Sequence, residues 1–320
     1  MPVFEMPLEK LREYTGCSPR PADFDHYWAQ AMDEGQAAGL EYTMTPAAFQ
    51  APGVECFDLW FTGVRGARIH CLFLKPTEVK NKIPGVAVFH GYMHHGGEWF
   101  ERLPYVYRGM AVLVMECRGQ GGLSEDVYSG AGPTAFGHVV RGVRDEDPHK
   151  LYYRDVYLDA AQTVRILMSM ELVDETRVAV TGKSQGGALA LAAAALVPTV
   201  KLCAPMYPFL CDFQRVLDLD LNKNAYDGLY WLFKKCDPTH RFHDQYMERL
   251  GYIDIQNHTP NVKAKVLWQT GLMDDQCPPS AQFAAYNKLK TEKRIILYPD
   301  HTHELIYFAN DEIFQFFLEI

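Results

Sequence analysis

Short apolar runs recur along the 320-residue chain, and most of them are separated by longer stretches that have the periodicity of a helix. The first two runs flank residues 63–66, a glycine-bounded segment that is typical of a hairpin turn. The later runs alternate with helical patterns, which favours an α/β fold whose mostly parallel central sheet is covered by helices on both faces. The predicted strands are 56–62, 67–75, 85–89, 111–116, 177–181, 202–206, 266–270 and 294–298. The predicted helices are 154–171, 187–197, 279–290 and 305–319.

Two segments depart from this alternation. Residues 1–50 precede the first predicted strand, and their polar, helix-prone part at 6–34 predicts a helical N-terminal extension. Residues 207–262 are charged, aromatic and largely helical in pattern, and they follow the strand at 202–206. Because ligands bind at the carboxyl edge of the strands in open α/β sheets, we expect this helical insertion to lie near an active site. The simplest organisation is one domain, 1–320, that carries both segments.

The composition narrows the classes of partner and compartment. The formal net charge is −9 at pH 7 and no cluster of lysine and arginine stands out, which argues against binding to nucleic acid or to an anionic membrane. The eight cysteines form no CxxC pair, a usage that fits a reducing compartment. No apolar run is long enough to span a membrane, and the N-terminus lacks the apolar core of a signal peptide. We therefore expect a soluble, cytoplasmic protein.

Residues 179–196, AVTGKSQGGALALAAAAL, place a serine between glycines at the junction of an apolar strand and an alanine-rich helix. A turn from strand to helix within a few residues brings the two elements very close. Gly182, Gly186 and Gly187 have no side chain that would collide there. The pattern G-x-S-x-G is the nucleophile elbow of α/β hydrolases, which exposes the serine hydroxyl at the tip of the turn. Ser184 is therefore the predicted nucleophile, and the alternative is a serine that only caps the helix.

A serine nucleophile needs a base that accepts its proton and an acid that orients the base. In α/β hydrolases these groups follow the serine in the order Asp or Glu, then His. Two loops that follow predicted strands hold the candidates, which are Asp274 and Asp275 in one loop and Asp300, His301 and His303 in the other. The residue pattern leaves open which aspartate of the first loop is the acid and which histidine is the base, and it keeps Asp300 as a weaker third candidate for the acid.

An oxyanion hole needs two backbone N–H groups beside the nucleophile. Gln185, the residue after the serine, supplies one, and Tyr92, in the loop after an earlier strand, is the predicted source of the other. The same loop contains His90, His94 and His95, whose spacing raises the question of a metal site. Because a glycine disturbs the helical geometry and no cluster of carboxylates or cysteines accompanies them, we predict no metal and no cofactor.

Residues 118–122, RGQGG, form a glycine-rich loop after another predicted strand. The spacing of the glycines matches neither nucleotide-binding fingerprint. A structural turn that is held by hydrogen bonds of Arg118 is therefore favoured over a phosphate site.

Together, these motifs resemble the acetyl xylan esterase and cephalosporin C deacetylase family, carbohydrate esterase family seven. The similar segments are HGY at 90–92, RGQGG at 118–122, GKSQGG at 182–187, GLMD at 271–274, CPPSAQFAAYN at 277–287, HE at 303–304, and the PLEKLREYTG and FTGVRGARIH stretches. The likeness covers nearly the whole chain, and the combination of RGQ, GxSQG and HE is highly specific. The resemblance implies Ser184 as nucleophile, Asp274 as acid and His303 as base, with Tyr92 and Gln185 as oxyanion donors.

The resemblance also implies a reaction, the removal of acetyl groups from small acetylated sugars, xylooligosaccharides and the cephalosporin C side group. We expect this to proceed through an acetyl-enzyme and without a cofactor. Family members typically form ring-like hexamers whose active sites face an inner cavity, so the resemblance implies a homohexamer.

The competing functions are another small-acyl hydrolase, such as a peptidase or lactonase, and a non-catalytic binding protein with this fold. Intact serine, aspartate and histidine candidates in the required order argue against a binding protein.

Several positions depart from the family pattern, and among them His94 and His95 lie in a loop that is usually less basic. Lys183 stands where a small residue or proline is usual, and Thr302 stands where a glycine usually precedes the histidine. Glu116 and Cys117 replace the usual Asp-Val before RGQ. We predict that Lys183 contacts the substrate together with Tyr92, and the alternative is a lysine that points along the surface toward an acidic partner.

Overall fold

The strands of this computed structural model are interspersed with helices along a chain whose described residues are 4–130, 132 and 134–320. The strands are β1 (Tyr42–Pro46), β2 (Val54–Thr62), β3 (Arg68–Pro76), β4 (Ile83–Phe89), β5 (Ala111–Met115), β6 (Val173–Lys183), β7 (Leu202–Met206), β8 (Lys265–Gly271) and β9 (Lys293–Tyr298). Within the described chain they form one nine-stranded sheet in the order β1-β2-β3-β5-β4-β6-β7-β8-β9. The pairs β1/β2, β2/β3 and β3/β5 are antiparallel, and the pairs from β5/β4 to β8/β9 are parallel. The predicted α/β class with a mostly parallel sheet is confirmed.

Helices lie on both faces of this sheet and fill the insertion. They are α1 (Leu8–Leu11), α2 (Phe24–Ala37), α3 (Leu103–Tyr107), α4 (Tyr152–Ser169), α5 (Gln185–Leu196), α6 (Phe213–Asp218), α7 (Asp227–Trp231), α8 (His243–Gly251), α9 (Ile255–His258), α10 (Pro279–Asn287) and α11 (Ala309–Phe317). The insertion at 207–262 contains α6 to α9 and the short turns between them. Among the described residues, none of the helices combines the length and the apolar character that crossing a membrane requires.

The two faces of the sheet are buried by different helices. On β4, Ala87 and Phe89 belong to the apolar cluster that includes residues of α2, α4 and α5, whereas Val86 and Val88 belong to the cluster that includes residues of α3 and α11. Successive side chains of a strand point to opposite faces, so a strand covered on both faces requires an unbroken apolar run. Helix α5 is almost entirely buried, and its many alanines let it lie close to the sheet.

Two of the differences from the sequence prediction have a clear physical cause. β1 lies within residues 1–50, so the N-terminal extension is not helical throughout. It pairs with β2 at the edge of the sheet, and four of its five residues are exposed, which removes the apolar alternation that would mark a strand. The last helix begins at Ala309 rather than at residue 305, because Phe308 has a φ of 65°, which the helical conformation does not allow.

Candidate active site

The turn between β6 and α5 holds Ser184 in a strained conformation. Its φ is 56° and its ψ is −118°, a combination that residues with a side chain rarely adopt. Glycines on either side let strand and helix approach each other, since a Cβ on Gly186 would collide with the carbonyl oxygen of Phe89 on the neighbouring strand. The turn therefore has the geometry of a nucleophile elbow, with the serine between the end of a strand and the first turn of a helix.

Three side chains from different loops form one hydrogen-bonded chain, called the triad below. Nε2 of His303 lies 3.1 Å from Oγ of Ser184, and Nδ1 of His303 lies 2.8 Å from Oδ2 of Asp274. The serine follows β6, the aspartate follows β8 and the histidine follows β9, so parallel strands bring all three to one edge of the sheet. In this arrangement the imidazole can accept the serine proton on Nε2 while the carboxylate holds a proton on Nδ1.

The other candidates from the same two loops lie outside the triad. Asp275 and Asp300 are exposed to solvent. Nδ1 of His301 lies 3.2 Å from Oε1 of Glu304, so its contact is with a neighbouring carboxylate rather than with the serine. Of the alternatives that the residue pattern leaves open, the structure brings Asp274 and His303 together with Ser184.

The carboxylate of Asp274 is completely buried, and its two oxygens have different partners. Oδ1 accepts the backbone N–H groups of Gln276 at 3.0 Å and Cys277 at 2.7 Å, while Oδ2 faces His303. The two backbone donors fix the rotation of the carboxylate, and this aims Oδ2 at the histidine.

Cys277 is part of the site, although the sequence pattern did not single it out. Its sulfur, a carboxylate oxygen of Asp274 and a ring nitrogen of His303 all lie within 4.8 Å of one another, which makes them a set of potential metal ligands in the described chain. Burial raises the pKa of the Cys277 thiol well above its usual value, and metals bind the thiolate rather than the thiol. These three residues are therefore better described as two members of the triad with the small, neutral side chain of Cys277 beside them. The signal in the sequence was the position of this cysteine, three residues after Asp274.

The predicted oxyanion donors lie at adjacent strand ends. β4 pairs with β6, and Phe89 lies opposite Gly182, so the loop that contains Tyr92 runs beside the elbow. The N–H of Gln185 belongs to the first turn of α5, where N–H groups have no partner within the helix and form the positive end of its dipole. A negative charge that develops on a substrate oxygen beside Ser184 is stabilised by such a helix terminus.

The side chain of Tyr92 is held by His138, a residue that the sequence pattern also did not identify. The Tyr92 hydroxyl accepts the backbone N–H of His138 at 3.0 Å and lies 3.1 Å from its Nδ1. Burial, with Arg141 nearby, lowers the pKa of His138, so the ring is neutral and Nδ1 can accept the phenolic proton. The ring of Tyr92 also packs against Phe209 of the insertion, with centroids 5.9 Å apart. These contacts fix the rotamer of the residue whose N–H is the second predicted donor.

The histidines near Tyr92 do not gather around a common point. Nδ1 of His90 donates to the carbonyl of Gly91 at 2.7 Å, and its Nε2 accepts the N–H of Cys117 at 2.9 Å. Burial lowers the pKa of His90 to about 4, so the ring is neutral and both of its nitrogens are engaged by the backbone. His94 and His95 are exposed. The role of His90 here is to join the ends of β4 and β5.

Lys183 is half-buried beside the nucleophile. Burial lowers the pKa of its ammonium group, while the charge of Glu101 opposes this effect and that of Arg102 adds to it. Both residues belong to the short helix Trp99–Arg102, so the ammonium group lies in the electric field of that segment. Its contact with a substrate stays a prediction.

Arg118 holds the RGQGG turn by hydrogen bonds, as predicted. Its guanidinium group is 1% exposed and donates to both oxygens of Asp159 at 2.7 Å each and to the carbonyl of Val64 at 3.3 Å. Because the fork of donors is matched to a buried carboxylate on α4, it is occupied by protein rather than aimed at a phosphate.

A second buried ion pair ties two loops near the site. Nδ1 of His70 lies 2.8 Å from Glu116, and its Nε2 lies 3.0 Å from Asp58. Glu116 also accepts the N–H groups of Gly96 at 2.9 Å and Leu123 at 2.6 Å. Burial alone would lower the pKa of His70, but these carboxylates outweigh it and raise the pKa. Burial alone would raise the pKa of Glu116, but its hydrogen bonds lower it to about 2, so this carboxylate is ionised at neutral pH.

Comparisons with known proteins point to one family. The family model for acetyl xylan esterase (AXE1) matches residues 1–320. Among solved structures, acetyl xylan esterase 1 from Thermoanaerobacterium sp. JW/SL YS485 is 47% identical with a TM-score of 0.97, and the match covers 99% of each chain. The acetyl xylan esterase from Paenibacillus sp. R4 is 33% identical with a TM-score of 0.94, over 98% of this chain and 99% of that one. The acetyl esterase Axe7A of Xylanibacter ruminicola is 27% identical over 302 residues, and the match covers 92% of this chain and 65% of that protein.

Proposed function

The chain belongs to the acetyl xylan esterase family, and on this premise we propose that it is a serine esterase that removes acetyl groups from small acetylated carbohydrates such as xylooligosaccharides. The observation that carries the proposal is the triad, in which His303 lies 3.1 Å from the Ser184 hydroxyl and 2.8 Å from the Asp274 carboxylate. We propose cephalosporin C-type acetates as further substrates, because they present the same acetyl carbonyl to the nucleophile.

The proposed reaction has two halves. In the first, Oγ of Ser184 attacks the acetyl carbon while its proton passes to Nε2 of His303. The carbonyl oxygen becomes an oxyanion that the N–H groups of Tyr92 and Gln185 stabilise, and one such donor is worth about 10²–10³ in kcat. His303 then gives the proton to the sugar oxygen, which leaves as an alcohol, and the acetyl group stays on the serine. In the second half, water attacks the acetyl-enzyme, His303 accepts its proton and returns it to Oγ, and acetate leaves.

Bulky walls next to the triad support a preference for a short acyl group. The ring of Tyr207 meets the ring of His303 edge to face at 4.7 Å, and Phe209 packs against Tyr92. The sulfur of Cys277 lies within 4.8 Å of the facing Asp274 and His303 atoms. Tyr207 and Phe209 belong to the insertion at 207–262. We therefore propose that acetyl esters are cleaved faster than longer esters, and that mono- and oligosaccharides are cleaved faster than polymeric xylan.

We further propose that copies of the chain assemble, as a homohexamer by resemblance. The segment after the triad histidine exposes large apolar side chains, with Leu305 62%, Tyr307 73% and Phe308 80% exposed. Exposed apolar clusters mark interaction sites, which supports a subunit contact at this segment. A cytoplasmic location is proposed as well, and the eight free thiols support it because such thiols persist in reducing compartments.

The direct test of the proposed function replaces the nucleophile. Ser184→Ala is expected to fold normally, to lose about 10⁵–10⁶ of kcat on acetylated xylooligosaccharides, and to lose labelling by a fluorophosphonate probe. His301→Ala is the matched control, because this histidine lies in the same loop as the base but outside the triad, and it should keep most of the activity. A Ser184→Ala variant that keeps more than about one hundredth of the wild-type rate would refute the assignment, since that loss is smaller than the loss of one oxyanion donor.

A panel of substrates tests the acyl and size preference separately. The kcat/KM values for acetyl, propionyl and octanoyl esters of one alcohol are compared, and acetylated xylooligosaccharides are compared with acetylated xylan. Octanoyl esters or insoluble xylan that are cleaved as fast as the small acetates would contradict the enclosed small-acyl site while leaving the triad assignment intact.

A further inference from the structure

Two glutamine side chains form a closed pair behind the predicted oxyanion hole. Nε2 of Gln120 donates to Oε1 of Gln185 at 2.8 Å, and Nε2 of Gln185 donates back to Oε1 of Gln120 at 3.0 Å. Gln120 comes from the RGQGG turn after β5, and Gln185 is the first residue of α5. The pair therefore joins a loop to the first turn of a helix that lies 65 residues further along the chain.

The remaining partners of the two amides fix their orientation. Oε1 of Gln120 also accepts the N–H of Met93 at 2.9 Å, and Oε1 of Gln185 also accepts the hydroxyl of Tyr153 at 2.8 Å. A second N–H of Gln120 reaches the hydroxyl of Tyr152 at 3.2 Å. All four hydrogen-bonding positions of the Gln120 amide are thus used, and turning the amide would place an NH2 group against the N–H of Met93.

The pair connects the two residues that supply the predicted oxyanion donors. The side chain of Gln185 belongs to the residue whose own N–H is one donor. The N–H that Gln120 holds belongs to Met93, the residue directly after Tyr92, whose N–H is the other donor. Met93 has a φ of 61°, a left-handed conformation that is unfavourable for its side chain, so an outside hydrogen bond helps to hold the loop in place.

We propose that Gln120 is a positioning residue of the esterase reaction: its amide sets the distance and angle between the Tyr92 and Gln185 N–H groups. The inference rests on the proposed function, because it assumes that these two N–H groups stabilise the oxyanion. Oxyanion donors act at 2.7–3.1 Å from the charged oxygen of the transition state, and a misplacement of about 1 Å can cost about 10²-fold. The effect belongs to the transition state, so it lowers kcat and leaves ground-state binding nearly unchanged.

Gln120→Met tests the proposal, because methionine keeps the length of the side chain and removes all of its hydrogen bonds. We expect kcat on a small acetate to fall roughly 10- to 100-fold, with KM changed by less than about threefold. The affinity for a boronic acid that mimics the tetrahedral intermediate should fall by a similar factor. A Gln120→Met variant that keeps kcat within about twofold would overturn the proposal.

Gln162→Met is the matched control for a purely structural effect. Gln162 is also buried on α4, and its Nε2 donates to the carbonyls of Gly39 at 2.9 Å and Thr62 at 3.0 Å, neither of which belongs to the site. Its variant should lower Tm while kcat and boronate affinity stay at the wild-type values. A loss of kcat in Gln162→Met as large as that in Gln120→Met would mean that general destabilisation, rather than positioning, explains both variants.

Gln120→Glu gives a readout that stability alone does not move. When protonated, the glutamate has an O–H that can donate to Gln185 and a carbonyl that can accept from Met93, so it reproduces the bonds of the amide except the one to Tyr152. When ionised, it has no donor and adds a negative charge near the oxyanion. The ratio of Gln120→Glu to wild-type kcat should therefore rise as the pH is lowered, and a ratio that does not change with pH would count against the proposal.

Gln185→Met completes a double-mutant cycle with Gln120→Met. The double variant should lose little more kcat than the worse of the two single variants, and strictly additive losses in the free energy of activation would overturn a shared role.

These outcomes are separate from failure of the proposed function. If wild-type protein is not labelled by the fluorophosphonate, or if Ser184→Ala keeps its activity, the esterase assignment fails whatever Gln120→Met does. If Ser184→Ala is inactive and Gln120→Met is fully active, the esterase assignment stands and the positioning role of Gln120 is refuted.

Discussion

Replacing Asp274 by asparagine changes one oxygen of a buried carboxylate into an NH2 group, and the surrounding backbone determines where that group lies. Oδ1 of Asp274 accepts two backbone N–H groups, from Gln276 and Cys277. An NH2 group at that position would face two donors, so the asparagine keeps its oxygen there. The NH2 group then takes the position of Oδ2, 2.8 Å from Nδ1 of His303 in the wild-type protein.

The expected magnitude follows from the tautomer of His303 that this arrangement imposes. An NH2 group donates, so Nδ1 must accept and the ring proton moves to Nε2, which faces the hydroxyl of Ser184. A ring that already carries a proton on Nε2 cannot accept the serine proton. The same change in a serine protease lowers kcat about 10⁴-fold with the geometry intact, and we expect a similar loss here, equivalent to about 5.5 kcal/mol in the barrier. Nε2 of Gln282 lies 3.5 Å from Oδ2, so in the variant two NH2 groups would face each other, and this contact is expected to cost some stability.

The assay measures kcat and KM for a small acetate ester together with the rate of fluorophosphonate labelling, and a thermal melt verifies folding. Asp275→Asn is the matched control, because it makes the same chemical change on the exposed neighbouring residue. We expect it to keep most of the wild-type kcat. A loss of less than about tenfold in Asp274→Asn would mean that another group orients His303, and an equal loss in both variants would refute the assignment of the acid.

Three further predictions concern charges near the site. Because folding raises the pKa of His70, its stabilising contribution is complete below the ordinary histidine pKa and is lost as the pH rises through the pKa of the folded protein. The wild-type Tm should therefore fall more steeply over that pH range than the Tm of His70→Gln. Parallel curves of Tm against pH would contradict this prediction. Arg118→Met should lower the free energy of unfolding by about 3–5 kcal/mol in a urea titration, because Asp159 is left buried without its cation, and Asp159→Leu in the same chain should restore most of it. Lys183→Ala should lower kcat/KM for anionic acetates more than for neutral ones at low salt but not at high salt, and equal factors would exclude a contact with the substrate.

The part of the site that could be predicted from the sequence is the part whose cause is local. The elbow at Ser184 follows from a strand, a set of glycines and a helix that are contiguous in the chain, and the structure has this turn. The candidates for acid and base could be narrowed to two loops, because they follow the last strands of a parallel sheet. The choice between Asp274 and Asp275 depends on which side chain points inward after β8, and neighbouring residues in a loop carry no periodic signal for that. Resemblance to a family supplied the choice, and the geometry places the same residue beside His303.

Two residues that the sequence pattern did not single out, Gln120 and His138, act across long separations in the chain. Gln120 reaches a partner 65 residues away, and the Tyr92 hydroxyl reaches one 46 residues away, at His138. Nothing in the local pattern of either residue signals such a partner, because a hydrogen bond between loops depends on the tertiary fold. β1 was not predicted for a different reason, which is local: it is an exposed edge strand and therefore has no alternation of apolar and polar residues to detect.

The end of β7 and the start of the insertion together hold the strained backbone of Ser184. The N–H of Ser184 donates to the carbonyl of Met206 at 3.0 Å, and its carbonyl accepts the N–H groups of Ala188 at 3.1 Å and Phe209 at 3.0 Å. A residue in such a conformation costs about 1–3 kcal/mol and persists only when its surroundings determine it. One of these three bonds comes from the helix that the serine begins, and the other two come from the end of β7 and the start of the insertion. The start of the insertion, which we propose to border the acyl group, is therefore also part of the support of the elbow, and substitutions that shift residues 206–209 should change the reactivity of Ser184 as well as the size of the acyl group that the site accepts.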